Sequence, residues 1–169
     1  FWRATTDNDR IAWGANETDK AWRKAGLHWL QHRTDAVEVE RLGGDAVKIV
    51  ARTRIAPPVH RHGFECVYTY TIGGNGEVQV EVVVEPKGEL PSTLPRVGLQ
   101  FTLPGSLDRV RWYGRGPGES YRDTKQAQRS GLWTATVDEL YTPYIYPQEN
   151  GNRTDVRWVE VADASGSGF

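Results

Sequence analysis

Residues 64–84 constrain the fold of this chain more than any other stretch. Phe64, Cys66, Tyr68, Tyr70 and Ile72 alternate with other residues. Gly73-Gly74-Asn75-Gly76 interrupts them, and Val78, Val80, Val82 and Val84 resume the alternation. Successive side chains of a strand point to opposite faces, so a period of two marks a strand with one buried face. The glycine-rich break supplies the positive φ that a hairpin turn needs. Glu77, Gln79, Glu81 and Glu85 then face water, while Val83 breaks the alternation and predicts cover on both faces.

The same period runs through Val47, Ile49, Ala51, Thr53 and Ile55, with Lys48, Arg52 and Arg54 on the other side. A strand carrying Val37 and Val39 ends near Gly43-Gly44, and Arg96–Leu103, Arg109–Tyr113 and Asp155–Val161 add three more. Helical signal is confined to residues 17–26. Asn16 or Thr18 can cap its start, Glu17 and Asp19 suit its positive end, and Gly26 can close it. Ala21, Trp22 and Ala25 form its apolar face. Many strands and one short helix describe an all-β chain, a large antiparallel β-sandwich. At 169 residues it is expected to be a single domain.

Composition removes several function classes. Lys and Arg total 21 against 22 for Asp and Glu, which leaves no basic footprint for nucleic acid. No apolar run approaches the ~18 residues of a membrane-spanning helix, and no signal-peptide pattern opens the chain. Cys66 is the only cysteine, which excludes an internal disulfide or a C-x-x-C motif and fits a reducing, cytoplasmic setting. Seven Trp and seven Tyr suit either a broad β core or a sugar-stacking surface. Phe1-Trp2 at one end and Gly168-Phe169 at the other read as an internal piece, a partial domain spanning 1–169.

Tyr113–Lys125, YGRGPGESYRDTK, is the stretch most suggestive of chemistry. A P-loop needs Lys directly after its last Gly; here Gly118 precedes Glu119, which repels phosphate. A dinucleotide fingerprint needs G-x-G-x-x-G in a parallel β-α-β unit, and this stretch fits neither the spacing nor the context. The glycines are therefore expected to turn the chain sharply after a strand ending at Tyr113, with Glu119 and Arg122 tying the corner down. Glycoside hydrolysis needs two carboxylates. Asp7, Asp9, Glu119, Asp123 and Glu149 lie outside strand alternation, but the structural reading, turn bonds and ion pairs with Arg115 or Arg122, outweighs the catalytic one. His28 with His32, and His60 with His62, lack further ligands at metal spacing. Cys66 sits inside a strand pattern and reads as core. Residues 139–157, ELYTPYIYPQENGNRTDVR, combine tyrosines with Gln148, Glu149, Asn150 and Arg153. Such a loop either lines a sugar site or packs a sheet edge, and packing is favoured.

DNDR near the start, YGRGPGESYRDTKQAQRSGLW and YTPYIYPQENGNRTDVRW resemble, in order, the C-terminal small-chain domain of Lac-type β-galactosidases of glycoside hydrolase family 2. Thr5 and Ile11 depart from that pattern. The resemblance implies a galactose mutarotase-like β-supersandwich, truncated at its C-terminal end. It implies a parent that hydrolyses terminal β-D-galactosides with retention and is a homo-oligomer. The family's two catalytic glutamates and its Mg²⁺ and Na⁺ sites belong to a TIM-barrel domain that this chain does not contain. No catalytic or metal residue is therefore carried onto this chain. Its expected role is to wall the active-site mouth and support subunit packing. Tyr113, Glu119, Tyr144, Gln148, Glu149, Asn150 and Arg153 are the substrate-proximal or interface candidates. Two alternatives remain: a free-standing carbohydrate-binding sandwich, or a mutarotase-like epimerase pairing His60 or His62 with Glu119 or Glu149.

Overall fold

A computed structural model describes residues 1–10, 18–146 and 149–169. They form two compact units, residues 1–98 and 99–169. Both are built on antiparallel sheet, as the alternation predicts, and the chain is all-β with short helical pieces.

The first unit holds a four-stranded sheet of β1 (Gln31–Arg41), β2 (Val47–Ala56), β3 (Gly63–Ile72) and β4 (Val78–Lys87), in that order. The 73–76 break is the expected hairpin turn: Gly76 takes φ 85°, and the Gly73 N–H donates to the Glu77 carbonyl at 2.9 Å. Registers Thr53↔Cys66↔Val84 and Ile55↔Phe64↔Pro86 bring the apolar set onto one face. Among the described residues of this unit, the roof covers one end of that face. Ile55, Phe64 and Cys66 pack under Trp22 and Leu27, with Phe1, Trp2, Leu90 and Leu94 around them. Phe1 stacks on Phe64 with ring centroids 3.9 Å apart.

The roof is α2 (Thr18–Lys24), preceded by one helical turn, α1 (Asp7–Arg10). Gly26 closes α2 at φ 70°, where an added Cβ would lie 2.8 Å from that of Pro57, so conformation and space both call for glycine. Trp22 is buried and its indole N–H reaches the Thr93 carbonyl at 3.0 Å. Ala21, by contrast, is exposed, so the apolar face is narrower than expected. Thr18 lies within the helix, its hydroxyl donating to the Asp9 carbonyl at 3.3 Å. Asn16 and Glu17, proposed for the helix start, lie outside the described residues, as does Ile11.

The second unit holds a three-stranded sheet in the order β6-β5-β7, with β5 Arg109–Gly116, β6 Arg129–Thr136 and β7 Trp158–Ala162. β6 escaped the sequence reading because Gly131, Trp133 and Ala135 make a thin apolar row among Arg, Ser and Thr. Residues 96–103 form no strand and are mostly exposed; their apolar residues find no ladder partner among the described residues. Val83 is likewise not covered on both faces, being 56% exposed.

Phe64, 1% exposed in the centre of the roofed end, is expected to dominate the first unit's stability. Phe64→Ala should lower unfolding free energy by about 3–5 kcal/mol, read by urea denaturation followed through Trp fluorescence.

Candidate functional site

The GRGPG segment has a different basis from the one its composition suggests. β5 continues through Gly116, so two of the three glycines lie inside the strand. Gly114 and Gly116 alternate with Tyr113 and Arg115 and share the buried face with Val110 and Trp112. A Cβ on Gly116 would sit 2.6 Å from the Trp133 ring, and one on Gly114 would sit 2.8 Å from Val156 Cα. These glycines serve close approach by a ring and a backbone rather than a sharp turn. The Trp133 indole N–H donates to the Gly114 carbonyl at 3.2 Å, and that of Trp112 to the Arg115 carbonyl at 3.0 Å.

Past Gly116 the chain meets residues 150–157 and the two segments zip together. The Ser120 N–H donates to the Asn152 carbonyl at 2.7 Å, and the Asn152 amide returns a bond to the Ser120 carbonyl at 2.6 Å. The Ser120 hydroxyl lies 2.8 Å from that of Thr154 and accepts the Thr154 N–H at 3.0 Å. Ser120 is 0% exposed, so these bonds replace water for a fully buried polar group. One turn outward, Glu119 accepts the Tyr144 hydroxyl on one oxygen and the Gly151 N–H on the other at 2.9 Å. Arg153 donates to the Gly151 and Pro117 carbonyls at 2.9 and 3.0 Å, with its guanidinium 5.5 Å from the Trp112 ring. Burial lowers its pKa from the usual arginine value, and Nε is buried without a partner among the described residues.

Arg115, not Arg122, ties this corner. It pairs with Asp155 at 2.7 Å and donates to the Lys125 and Gln128 carbonyls at 3.0 and 2.9 Å. Hydrogen bonds from Arg115 and then Lys125 hold the Asp155 carboxyl below its usual range. Arg122 is exposed. No signal in the sequence marked Asp155, Ser120 or Thr154, since their partners lie thirty or more positions away.

The structure brings Glu119, Tyr144, Asn150 and Arg153 to one loop cluster, Asn150 through its amide bond to the Thr142 carbonyl at 3.1 Å. Glu149 is half-buried in the same loop, and Gln148 lies outside the described residues. Tyr113 stands apart: it projects from the opposite face of β5 beside its ladder neighbours Leu132 and Trp158. Around the cluster Tyr141, Tyr144, Ile145 and Tyr146 are exposed, an apolar tip on a hydrogen-bonded base.

Asp9, Cys66 and His62 have structural roles. Asp9, 9% exposed, receives Arg3 at 2.7 and 3.1 Å and the Thr6 N–H at 2.8 Å. Burial pushes its carboxyl up, but the Arg3 and Thr6 hydrogen bonds outweigh it and the pKa is lowered. Cys66 is buried and its thiol is pushed up by that burial, as a core residue should be. His60 and His62 do meet, their rings tilted by 43° with centroids 4.7 Å apart, yet His62 Nε2 donates to the Ala25 carbonyl at 2.7 Å. Among the described residues no group of three His, Cys, Asp or Glu could hold a metal, and no helix is long and apolar enough to cross a membrane.

The family model for the beta galactosidase small chain matches residues 1–169. The chain belongs to that family. Beta-galactosidases of Priestia megaterium, Kluyveromyces lactis and Vibrio cholerae are 35%, 37% and 39% identical to it, over 100%, 95% and 95% of its length. It spans only about 15% of the length of these relatives.

Two outcomes follow for this small-chain domain. Gly116→Ala should cost about 1–3 kcal/mol by overpacking against Trp133, measured by thermal or chemical unfolding. Asp9 has a lowered folded pKa, so its contribution is present above about pH 4 and fades as pH falls through that lowered value. Asp9→Asn should therefore cost about 2 kcal/mol at pH 7, and its gap to the unsubstituted chain should narrow in urea titrations run in acid.

Proposed function

We propose that this chain is a non-catalytic support domain of a β-galactosidase that cleaves terminal β-D-galactosides in the cytoplasm. The observation that carries the proposal is the match to the small-chain family over the whole chain, at about 15% of the relatives' length. The hydrolytic glutamates and the Mg²⁺ and Na⁺ of such an enzyme are assigned to its catalytic barrel. Three carboxylates of this chain suit that division of labour. Asp9 is committed to Arg3 and Thr6, Glu119 to Tyr144 and the Gly151 N–H, and Asp155 to Arg115 and Lys125.

Within the enzyme, the 141–146 tip is the part of this domain that contacts the active-site mouth. Its exposed tyrosines offer apolar area with polar ends, a combination suited to a wet protein interface. The Glu119–Gly151–Arg153 base fixes the tip before docking, which lowers the ordering cost of that contact.

In a full-length relative aligned to this chain, Tyr144→Ala and Arg153→Ala at the matching positions should each lower kcat/KM about tenfold, roughly 1.4 kcal/mol, or weaken subunit assembly. Unchanged kinetics, assembly and melting temperature in both variants would overturn the contact role. The isolated chain should release no nitrophenol from a chromogenic β-galactoside and show no saturable heat with galactose. Turnover by the isolated chain would refute the non-catalytic reading, and saturable binding would favour a free-standing carbohydrate module.

A further inference from the structure

Glycine follows asparagine twice in this chain, at Asn75-Gly76 and at Asn150-Gly151. Such a pair carries its own chemistry. The glycine nitrogen can attack the asparagine side-chain carbonyl, because glycine has no Cβ to block the approach. The two pairs sit in opposite surroundings. Asn150 and Gly151 are half-buried, and both reacting groups are tied down. The Asn150 amide donates to the Thr142 carbonyl at 3.1 Å, and the Gly151 N–H donates to a Glu119 carboxylate oxygen at 2.9 Å. A charge-assisted bond is roughly twice as strong as a neutral one. The carboxylate also opposes the negative charge that this nitrogen must take on to attack.

Asn75 and Gly76 are exposed in the β3–β4 turn, and a Cβ on Gly76 would meet nothing within 4 Å. The Gly76 N–H donates to a neutral partner, the Gly73 carbonyl at 3.0 Å, which water can replace at small net cost. The Asn75 side chain is already folded toward the residues that follow it, since its Oδ1 accepts the Glu77 N–H at 3.1 Å. That donor polarises the carbonyl under attack and stands where negative charge grows in the tetrahedral intermediate. The Glu77 carboxylate lies beside the leaving nitrogen, 3.5 Å from Nδ2.

We propose that Asn75-Gly76 is a self-modification site that converts Asn75 to aspartate or isoaspartate through a succinimide, while the corner around Glu119 protects Asn150-Gly151. The Gly76 nitrogen bonds to Asn75 Cγ and the Cγ–Nδ2 bond breaks. Nδ2 leaves as ammonia, carrying the proton that the Gly76 amide gives up. Water then opens the ring at either carbonyl, adding its hydroxyl to the carbon and its hydrogen to the nitrogen. One water enters and one ammonia leaves, and no other reactant is needed. Opening at the backbone carbonyl yields isoaspartate, which lengthens the main chain by one carbon. The β3–β4 ladder begins at Ile72↔Val78, and the Gly73 N–H closes its turn on the Glu77 carbonyl at 2.9 Å. An extra main-chain atom between them loosens that closure, and either product sets a new carboxylate beside that of Glu77.

Peptide mapping with isoaspartate detection, on the chain aged in warm, mildly alkaline buffer, reads both sites in one sample. In the folded chain Asn75 should convert roughly tenfold faster than Asn150 or more, a barrier difference of about 1.4 kcal/mol. In strong urea the two rates should converge, because each pair has lost its neighbours. Asn75→Gln, whose longer side chain does not close the five-membered ring, should end conversion at position 75 and leave Asn150 unchanged. The aged chain should unfold at lower urea than the fresh one, and the Asn75→Gln chain should age without that loss. Equal rates at the two sites in native buffer overturn the proposal, as does an Asn75 that converts far more slowly folded than in urea. An aged chain as stable as the fresh one overturns the effect on the turn.

Discussion

The second unit depends on a buried serine. Ser120 has no access to water, so its amide, carbonyl and hydroxyl must all find protein partners, and Asn152 and Thr154 supply them. A buried polar group left unpaired costs about 1–3 kcal/mol, which makes this junction intolerant of slippage. Everything outward follows from its register. Glu119, one residue before, is aimed at Tyr144 and the Gly151 N–H, and Arg153, one before Thr154, is laid over Trp112. The glycine-rich segment and the ENGNR segment are two halves of one corner.

The same economy explains why residues that look chemical are not free for chemistry. A carboxylate acting as general acid or base needs an open approach and a proton to exchange. Asp9 is locked by an arginine fork and a threonine amide, and Asp155 is held ionised between Arg115 and Lys125. Glu119 spends both oxygens on loop architecture. Within the first unit, His62 spends a ring nitrogen on the carbonyl of Ala25, beside the αL closure of α2.

Local physics in the sequence foretold much of the fold and little of the site. β2, β3, β4 and the 73–76 turn were legible because alternation and positive-φ glycine are properties of neighbouring residues. Gly26 was legible for the same reason. β6 was not, because its buried face is made of Gly131, Trp133 and Ala135, too small a row to stand out. Residues 96–103 read as a strand on their apolar residues, yet a strand also needs a ladder partner, which no local pattern reports. Val83 misled in the opposite sense: an extra apolar residue marked an open edge region rather than double cover. At the site, the density of polar and aromatic residues singled out Glu119, Tyr144, Asn150 and Arg153, which do cluster. It also named Tyr113, which parity along β5 sends to the other face. Ser120, Thr154 and Asp155 could only be found in three dimensions, and Gly114 and Gly116 explain themselves only beside Trp133 and Val156.

The central claim is that the glycine-rich loop and the 150–157 segment stabilise each other as one unit. A double-mutant cycle between Ser120→Ala and Thr154→Val tests it most directly, with unfolding free energies measured for the four proteins. The two hydroxyls share bonds across 34 residues of sequence, so the cycle should return a coupling of about 1 kcal/mol. Additivity within a few tenths of a kcal/mol would contradict the claim.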